Sequence, residues 1–388
     1  MKFKRWRLFA TLLVAFALVA AACGGGETTE TEAPTGTEAP TDTEAPTDTE
    51  APTDTEAPTK PGEVLKVAFV HVGPVADKGW SWAHDQGAQY LKAQLGDAVE
   101  ITTLEIIPEG SDSQRVFEDL AAAGNDLIFG TSFGYMDSML AAAENFPDTV
   151  FMHATGFKVS ENMGNYFGAA EEARYLSGMA AGAATETNLI GYVAAFPIPE
   201  VLRGINAFTL GAREVNPDVE VQVVWTSTWF DPPKEGTAAE SLLDAGADVI
   251  AMHQDSAAPG QAAEAAGAKW VGYNTDMSEF APTAWLTAAI WDWGPLYVET
   301  ANQVIAGTWK SDFIYGNMAD GMVALAPFGE SVEQATQDLI LERQAEIIDG
   351  SFSVFPDPIV NQDGESQPLG DIFGMDFFVE GVIGSPTG

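Results

Sequence analysis

The side chains in this chain that could do chemistry are mostly flat rings, with few reactive groups among them. Its 388 residues include four histidines, His71, His84, His153 and His253, and one cysteine, Cys23. None of the histidines has the spacing to a Cys or a second His that a metal site needs. There is no P-loop, and no G-x-G-x-x-G follows the first strand signal, so phosphate and dinucleotide sites have no anchor. No catalytic residue, metal or cofactor is expected. What recurs instead is an aromatic ring just after an apolar, β-branched run. Trp80 and Trp82 follow Val67-Ala68-Phe69-Val70, and Phe133 and Tyr135 lie in Gly130-Thr131-Ser132-Phe133-Gly134-Tyr135. Phe196 follows Ala195, Trp229-Phe230-Asp231 follow the run ending near Trp225, and Trp291 and Trp293 lie in Ile290-Trp291-Asp292-Trp293. A single such ring is ordinary packing. Five placements at strand ends mark a cleft, because strand ends line the ligand crevice of open α/β sheets. Rings facing each other across a cleft favour a planar ligand. Polar groups accompany them: Gln254-Asp255 after His253, and Asn274-Thr275-Asp276 after Tyr273. Residues of these types also cap helices and make turns.

The elements that must position these residues alternate strand and helix. Strands are expected at 64–72, 99–106, 127–131 and 150–154, with helices at 82–95, 112–123 and 136–144. A small-residue helix over 171–185 follows, and the series restarts. Strands are then expected at 189–195, 219–225, 249–252 and 270–273, with helices at 201–215, 236–245 and 260–266. The βαβα order implies parallel sheets covered on both faces. Two such series in tandem imply two lobes with a cleft between them.

The first 62 residues do not read as fold. Lys2, Lys4, Arg5 and Arg7 precede an apolar run, Leu8–Ala22, too short to read as a membrane span. Small residues Ala20-Ala21-Ala22 then meet Cys23, the pattern of a signal peptide over 1–22 with a lipidated cysteine at its cleavage point. As the only cysteine, Cys23 forms no internal disulfide. Residues 23–62 form a tether in which Glu-Ala-Pro-Thr-Asp-Thr recurs at Glu38, Glu44 and Glu50, with a Gly variant at Glu32. Such a segment cannot build a core and reaches on the order of 100 Å when extended. The formal charge is −40, from 57 acidic and 17 basic residues, which excludes nucleic acid as a natural partner.

Lys66–Phe69, Asp77-Lys78-Gly79-Trp80-Ser81, Gly130–Tyr135, Tyr175–Gly182, Thr226–Asp231 and Gly272–Asp276 together resemble the basic membrane protein family, lipid-anchored solute-binding proteins of ABC importers that include purine nucleoside receptors. The resemblance covers about 63–350. It implies the type I periplasmic-binding-protein fold, two doubly wound α/β lobes joined by a hinge that close on a ligand. Lobe 1 would be 63–168 plus 289–312, and lobe 2 would be 169–288 plus 313–388. It implies a purine-type ligand stacked between Trp80 and Trp229, ABC permease subunits as partners, a monomer, and a lipid-anchored place on the extracytoplasmic face of the cell membrane. Two departures bear on the ligand. The family's Gly-Val-Asp-x-Asp loop reads Gly272-Tyr273-Asn274-Thr275-Asp276, and its Leu-Thr-Ser-x-x-Lys stretch reads Leu286-Thr287-Ala288-Ala289-Ile290-Trp291. An amide replaces a ribose-binding carboxylate and an indole replaces a lysine, which favours a free base such as adenine over its nucleoside. The ligand-contacting set expected is Trp80, Ser81, Trp82, Phe133, Tyr135, Phe196, Trp229, Asp255, Asn274, Asp276 and Trp291, with Asp255 or Asn274 at the polar edge of the base. Other readings are a ligand sensor for a membrane signalling protein and an enzyme of nucleoside metabolism.

Overall fold

The computed structural model describes residues 63–388. The expected signal peptide, Cys23 and the tether lie outside the described residues.

The chain runs β1 (Leu65–Val70), α1 (Trp80–Leu95), β2 (Val99–Leu104), α2 (Ser111–Ala122), β3 (Leu127–Gly130), α3 (Met136–Asn145), β4 (Val150–Ala154) and β5 (Met163–Gly168). It continues through α4 (Ala170–Ala184), β6 (Leu189–Ala194), α5 (Pro199–Val215), β7 (Glu220–Trp225), α6 (Pro232–Asp244), β8 (Val249–His253), α7 (Ala258–Ala266) and β9 (Lys269–Asn274). The remainder is β10 (Trp285–Trp291), α8 (Gly294–Ala306), β11 (Phe313–Gly316), β12 (Val323–Leu325), α9 (Gln334–Ile348), a hairpin of β13 (Ile359–Val360) and β14 (Ser366–Gln367), and β15 (Val382–Ile383).

Two sheets result, with strand orders β11-β5-β4-β3-β1-β2 and β12-β10-β9-β8-β6-β7-β15. Every pairing in them is parallel except β10 with β12. The central strands β3, β4, β5 and β8 are buried along their whole length, because helices cover both faces. Their side chains have no solvent face to alternate with, so β3, β4 and β8 show near-continuous apolar runs, while β5 is interrupted by Gly164, Asn165 and Gly168.

The chain crosses between the lobes after β5, after β10 and after β11. The sequence reading drew the later crossings at 288/289 and 312/313. By sheet membership they fall further on, because β10 runs to Trp291 in the second sheet and β11 pairs with β5 in the first. Beside the crossings lies a buried polar knot. Arg203 Nε on α5 donates to Glu171 Oε2 on α4 at 3.2 Å, and the Tyr315 hydroxyl on β11 donates to both Glu171 oxygens at 2.8 and 2.9 Å. The small-residue run on α4 has a packing cause. A Cβ at Gly178 or Gly182 would lie 2.9 Å from Phe208 C or 2.8 Å from Ala212 Cα on α5. The two helices therefore meet backbone to backbone.

Candidate ligand cavity between the two sheets

The loop after β1 is shaped by one carboxylate. Asp77 accepts from the backbone N–H of Gly79, Trp82 and Ser81 at 2.7, 2.9 and 3.0 Å, which satisfies the open N–H groups at the start of α1. That turn places the Trp80 ring under the strand ends, where its Nε1 donates to Thr131 O at 2.6 Å. Trp291 and Trp293 meet Trp80 edge-on at 6.0 and 5.8 Å and stack on each other at 4.8 Å. From the second lobe, Asp231 caps α6 by accepting from Lys234 N at 3.1 Å, while Glu235 Oε1 accepts from Asp231 N at 2.8 Å. This reciprocal cap fixes the loop that carries Trp229, and Asp255 N donates to Trp229 O at 3.2 Å.

A narrow cavity of about 20 Å³, room for about one water, lies where the carboxyl ends of the two sheets face each other. Val72, Trp80, Ser132, Phe133 and Thr155 line it from the first lobe, and Glu200, Trp229, His253, Asp255 and Tyr273 from the second. Small-molecule sites run to about 300–1,000 Å³, so the lobes stand too close together here to hold a ligand and have to part to admit one. Phe133, Thr155 and Glu200 also border a wider groove, which leads from the cavity past Phe157, Phe167 and Phe373. The lobes touch beside the cavity. Thr275 Oγ1 donates to Lys78 O, and a Cβ on Gly79 would lie 2.8 Å from the backbone Cα and C of Asp255. Of the six non-glycine residues with positive φ among the described residues, Lys78 (62°), Thr155 (68°), Ser227 (55°) and Asn274 (72°) belong to the cavity wall or the loops beside it. Thr155 is β-branched, so its backbone is strained there. Its Oγ1 is buried without a protein partner, free for a ligand.

The electrostatics differ between the lobes. Burial and the neighbouring acids Asp77 and Glu235 push the Asp255 carboxyl well above its ordinary range. Burial lifts Asp77 to about 6 against the three backbone donors that favour its charge. Burial lifts Glu200 to about 7, with Arg203 opposing. Burial, reinforced by Arg174 and Arg203, holds His253 well below its ordinary value, so the imidazole is neutral at pH 7. Arg174 lies behind the wall, its guanidinium 3.6 Å from the centre of the Tyr273 ring and its Nη1 donating to Met252 O at 2.8 Å. Among the described residues no group of three or more His, Cys, Asp or Glu could hold a metal ion.

Residues 64–354 match the family described as ABC transporter substrate-binding protein PnrA-like, Bmp. The chain belongs to the Bmp family. A purine-binding protein of Brucella abortus is 44% identical over 82% of this chain and 93% of its own length. A protein of Haloferax volcanii with the provisional name ABC transporter glucose-binding protein TsgA13 is 45% identical over 83% of this chain and 81% of its own. An ABC-transporter solute-binding protein from Aeropyrum pernix superposes with a TM-score of 0.66 at 18% identity, covering 74% of this chain and 92% of that one, and shows the fold. This Bmp protein is thus a substrate-binding protein of the ABC-transporter class, with the two-lobed α/β architecture expected from its sequence. The family is one of binding proteins and not of enzymes.

Within this Bmp protein the eleven expected contact residues separate into three groups. Trp80, Phe133, Trp229 and Asp255 line the cavity. Phe196, Asn274 and Trp291 stand behind it. Phe196 packs on Trp229 at 4.9 Å. Trp291 Nε1 donates to Asn274 Oδ1 at 3.0 Å, and Asn274 Nδ2 donates to Asp255 Oδ1 at 3.1 Å. Both ends of the Asn274 amide are therefore used inside the protein, so the expected direct contact of Asn274 with a ligand edge is corrected to support of Asp255. The other four have different partners. Tyr135 points into the first lobe, donating to Ile107 O and packing edge-on against Phe117. Trp82 lies under the Lys78 ammonium, 3.8 Å from ring centre to Nζ. Asp276 is exposed and accepts from Ser278 N two residues on, which makes it a turn residue. Ser81 is fully buried at the start of α1.

The sequence reading missed Val72, Ser132, Thr155, Glu200, His253 and Tyr273. His253 and Tyr273 end strands and had a signal in that position. Glu200, in the first turn of α5, and the backbone strain at Thr155 had none. Gly130-Thr131-Ser132-Phe133-Gly134 has the Gly-x-Ser-x-Gly spacing of a nucleophile elbow, but Ser132 Oγ donates to Glu109 Oε1 at 2.6 Å, and His153 Nε2 meets the Ser132 carbonyl and not its hydroxyl. The serine has no base and holds a loop.

Proposed function

We propose that this protein is the extracytoplasmic receptor of an ABC importer, held to the membrane through lipid on Cys23, and that its cavity takes a free purine base in preference to the nucleoside. The observation that carries the reading is one cavity walled by Trp80 and Phe133 from one lobe and by Trp229 and Tyr273 from the other, with a buried carboxyl, Asp255, at its edge. Stacking on such rings is tolerant of base identity and contributes about 1–3 kcal/mol per base. The two departures from the family pattern support a base over a nucleoside, because Trp291 and Asn274 bond to each other and stand where the family pattern has a lysine and a carboxylate. The Brucella abortus relative, a purine-binding protein, supports the ligand class.

The Haloferax volcanii relative raises a sugar as the second reading. The acids Glu200 and Asp255 and the unpartnered Thr155 hydroxyl favour it, since sugars need many polar partners. Calorimetric titration with adenine, guanine, adenosine, guanosine and glucose separates the two. Micromolar or tighter binding of a base, with its nucleoside weaker, is the expected result. Adenosine at least tenfold tighter than adenine removes the free-base preference and leaves the purine class. Glucose binding with no purine binding replaces the purine reading. For the anchor, Cys23→Ala is expected to release the protein from the membrane fraction, and retention there would count against lipidation. Closure of the lobes on the ligand is expected to shrink the radius of gyration in solution scattering at saturating ligand.

A further inference from the structure

The hydrogen bonds around Asp255 have a fixed direction. An indole N–H only donates, so the Asn274 atom facing Trp291 is the carbonyl oxygen, at 3.0 Å. The amide NH₂ must then face the other way, and it donates to Asp255 Oδ1 at 3.1 Å. Oδ1 thus receives a donor, and Oδ2 has no protein partner among the described residues. Asp255 is 5% exposed and lines the cavity, so it can offer an occupant Oδ2 and the second lone pair of Oδ1.

The charged groups around this carboxyl do not balance it. No Lys or Arg pairs with it among the described residues. Asp77 faces it from the loop after β1, Glu235 from α6 and Glu200 from α5. Arg203 is bound to Glu171, Arg174 faces the Tyr273 ring and Met252 O, and His253 is neutral. The single donation from Asn274 favours the anion, but it stands against three acids and the loss of water. A buried carboxyl in that position takes a proton, and its pKa is accordingly raised. With Oδ1 already accepting, the proton resides on Oδ2.

We propose that Asp255 offers Oδ2–H as a donor beside Oδ1 as an acceptor, so that the cavity selects a planar heterocycle whose edge sets a donor next to an acceptor. This rests on the purine reading above and narrows it. Adenine has such an edge, with its N6 amino donor beside a ring-nitrogen acceptor. Guanine has such an edge too, N1–H beside O6, so the pairing reports the protonation of Asp255 and not a choice between the two bases, whereas an ionised carboxylate would suit guanine's two donors, N1–H and N2–H₂. Trp291 and Asn274, the two residues that depart from the family pattern, therefore act through Asp255 as positioning residues that fix which oxygen carries the proton.

Titration of wild type, Asp255→Ala and Asp255→Asn with adenine, guanine and unsubstituted purine tests this. Removing the N6 amino group from the ligand, as in purine itself, is expected to weaken wild-type binding about tenfold, a comparison that needs no variant. Asp255→Ala is expected to weaken adenine by about tenfold to a hundredfold. Asp255→Asn is expected to recover most of that loss, because a neutral amide reproduces the donor and acceptor of a neutral carboxyl but not a charge. The proposal is overturned if unsubstituted purine binds wild type as tightly as adenine, or if Asp255→Asn is no better than Asp255→Ala while both variants melt cooperatively. Absence of binding by any of the three compounds to wild type overturns the purine reading and this proposal together.

Discussion

The two walls of the cavity are built on opposite plans. The first-lobe wall is aromatic and immobile. Trp80 is held by a backbone acceptor and by two further indoles, and the loops that carry it and Phe133 are pinned by Asp77 and Glu109. The second-lobe wall holds the titratable groups, Glu200, His253 and Asp255, and its Trp229 is half-exposed, resting on Phe196. On the proposed function, one wall would supply the surface on which a base stacks, and the other the polar groups that choose it. Affinity and selectivity should therefore separate by lobe.

The sharpest way to break that division is a pair of indole deletions. Trp80→Ala is expected to cost about 3–5 kcal/mol of folding stability in addition to ligand binding, because its ring is packed on His84, Trp291 and Trp293. Trp229→Ala is expected to cost binding alone, about 1–3 kcal/mol, with little change in melting temperature. Thermal unfolding alongside calorimetry measures both, and equal stability losses in the two variants would erase the contrast. A smaller effect is expected for Gly79→Ala. Its new methyl would press on the Asp255 backbone, so affinity should fall about tenfold to a hundredfold while each lobe keeps its fold. Unchanged affinity would show that the lobe contact at this point is not needed for binding. Asn274→Asp replaces the donor to Asp255 with a second carboxyl, and about a tenfold loss of base affinity is expected.

The smallest expected effect is on stability against pH. Glu200 moves from an ordinary value of 4.5 to about 7 on folding, through burial. Between those values the folded protein holds more protons than the unfolded chain, so this group's contribution to stability falls as pH rises across the window. Glu200→Gln removes that loss. Its melting-temperature advantage over wild type is expected to grow from about pH 5 to about pH 7.5, and a constant difference would place Glu200 in solvent.

The parallel strands were legible because each is a short apolar run between turn residues. Val150–Ala154 was read with its observed bounds, and Leu65–Val70 and Leu189–Ala194 within two residues at either end. β5 was not read, since Gly164, Asn165 and Gly168 interrupt Met163–Gly168. α9 was not read either, as Leu339 and Leu341 point to solvent and blur its apolar stripe. In the site, position after a strand found Trp80, Phe133, Trp229 and Asp255. The same rule chose Tyr135 wrongly, because the short 3₁₀ turn at Phe133–Tyr135 sends Phe133 to the cavity and Tyr135 into the core. No rule of position could show that Asn274 is used up between Trp291 and Asp255. That follows only from three-dimensional neighbours whose sequence separations are 17 and 19 residues.

The bare main chain at Gly79 has a mechanical consequence. Side chains flex, and a contact between them yields to whatever is placed beside it. Here backbone meets backbone, and nothing at position 79 can fold away. The two jaws of the cavity therefore close to a hard stop, as a caliper does. At that stop the cavity has room for little more than a water, so any occupant holds the jaws apart and leaves Thr275 short of Lys78 O by a distance that its thickness sets. What such a device gauges first is the thickness of its occupant, before its edge is read at all.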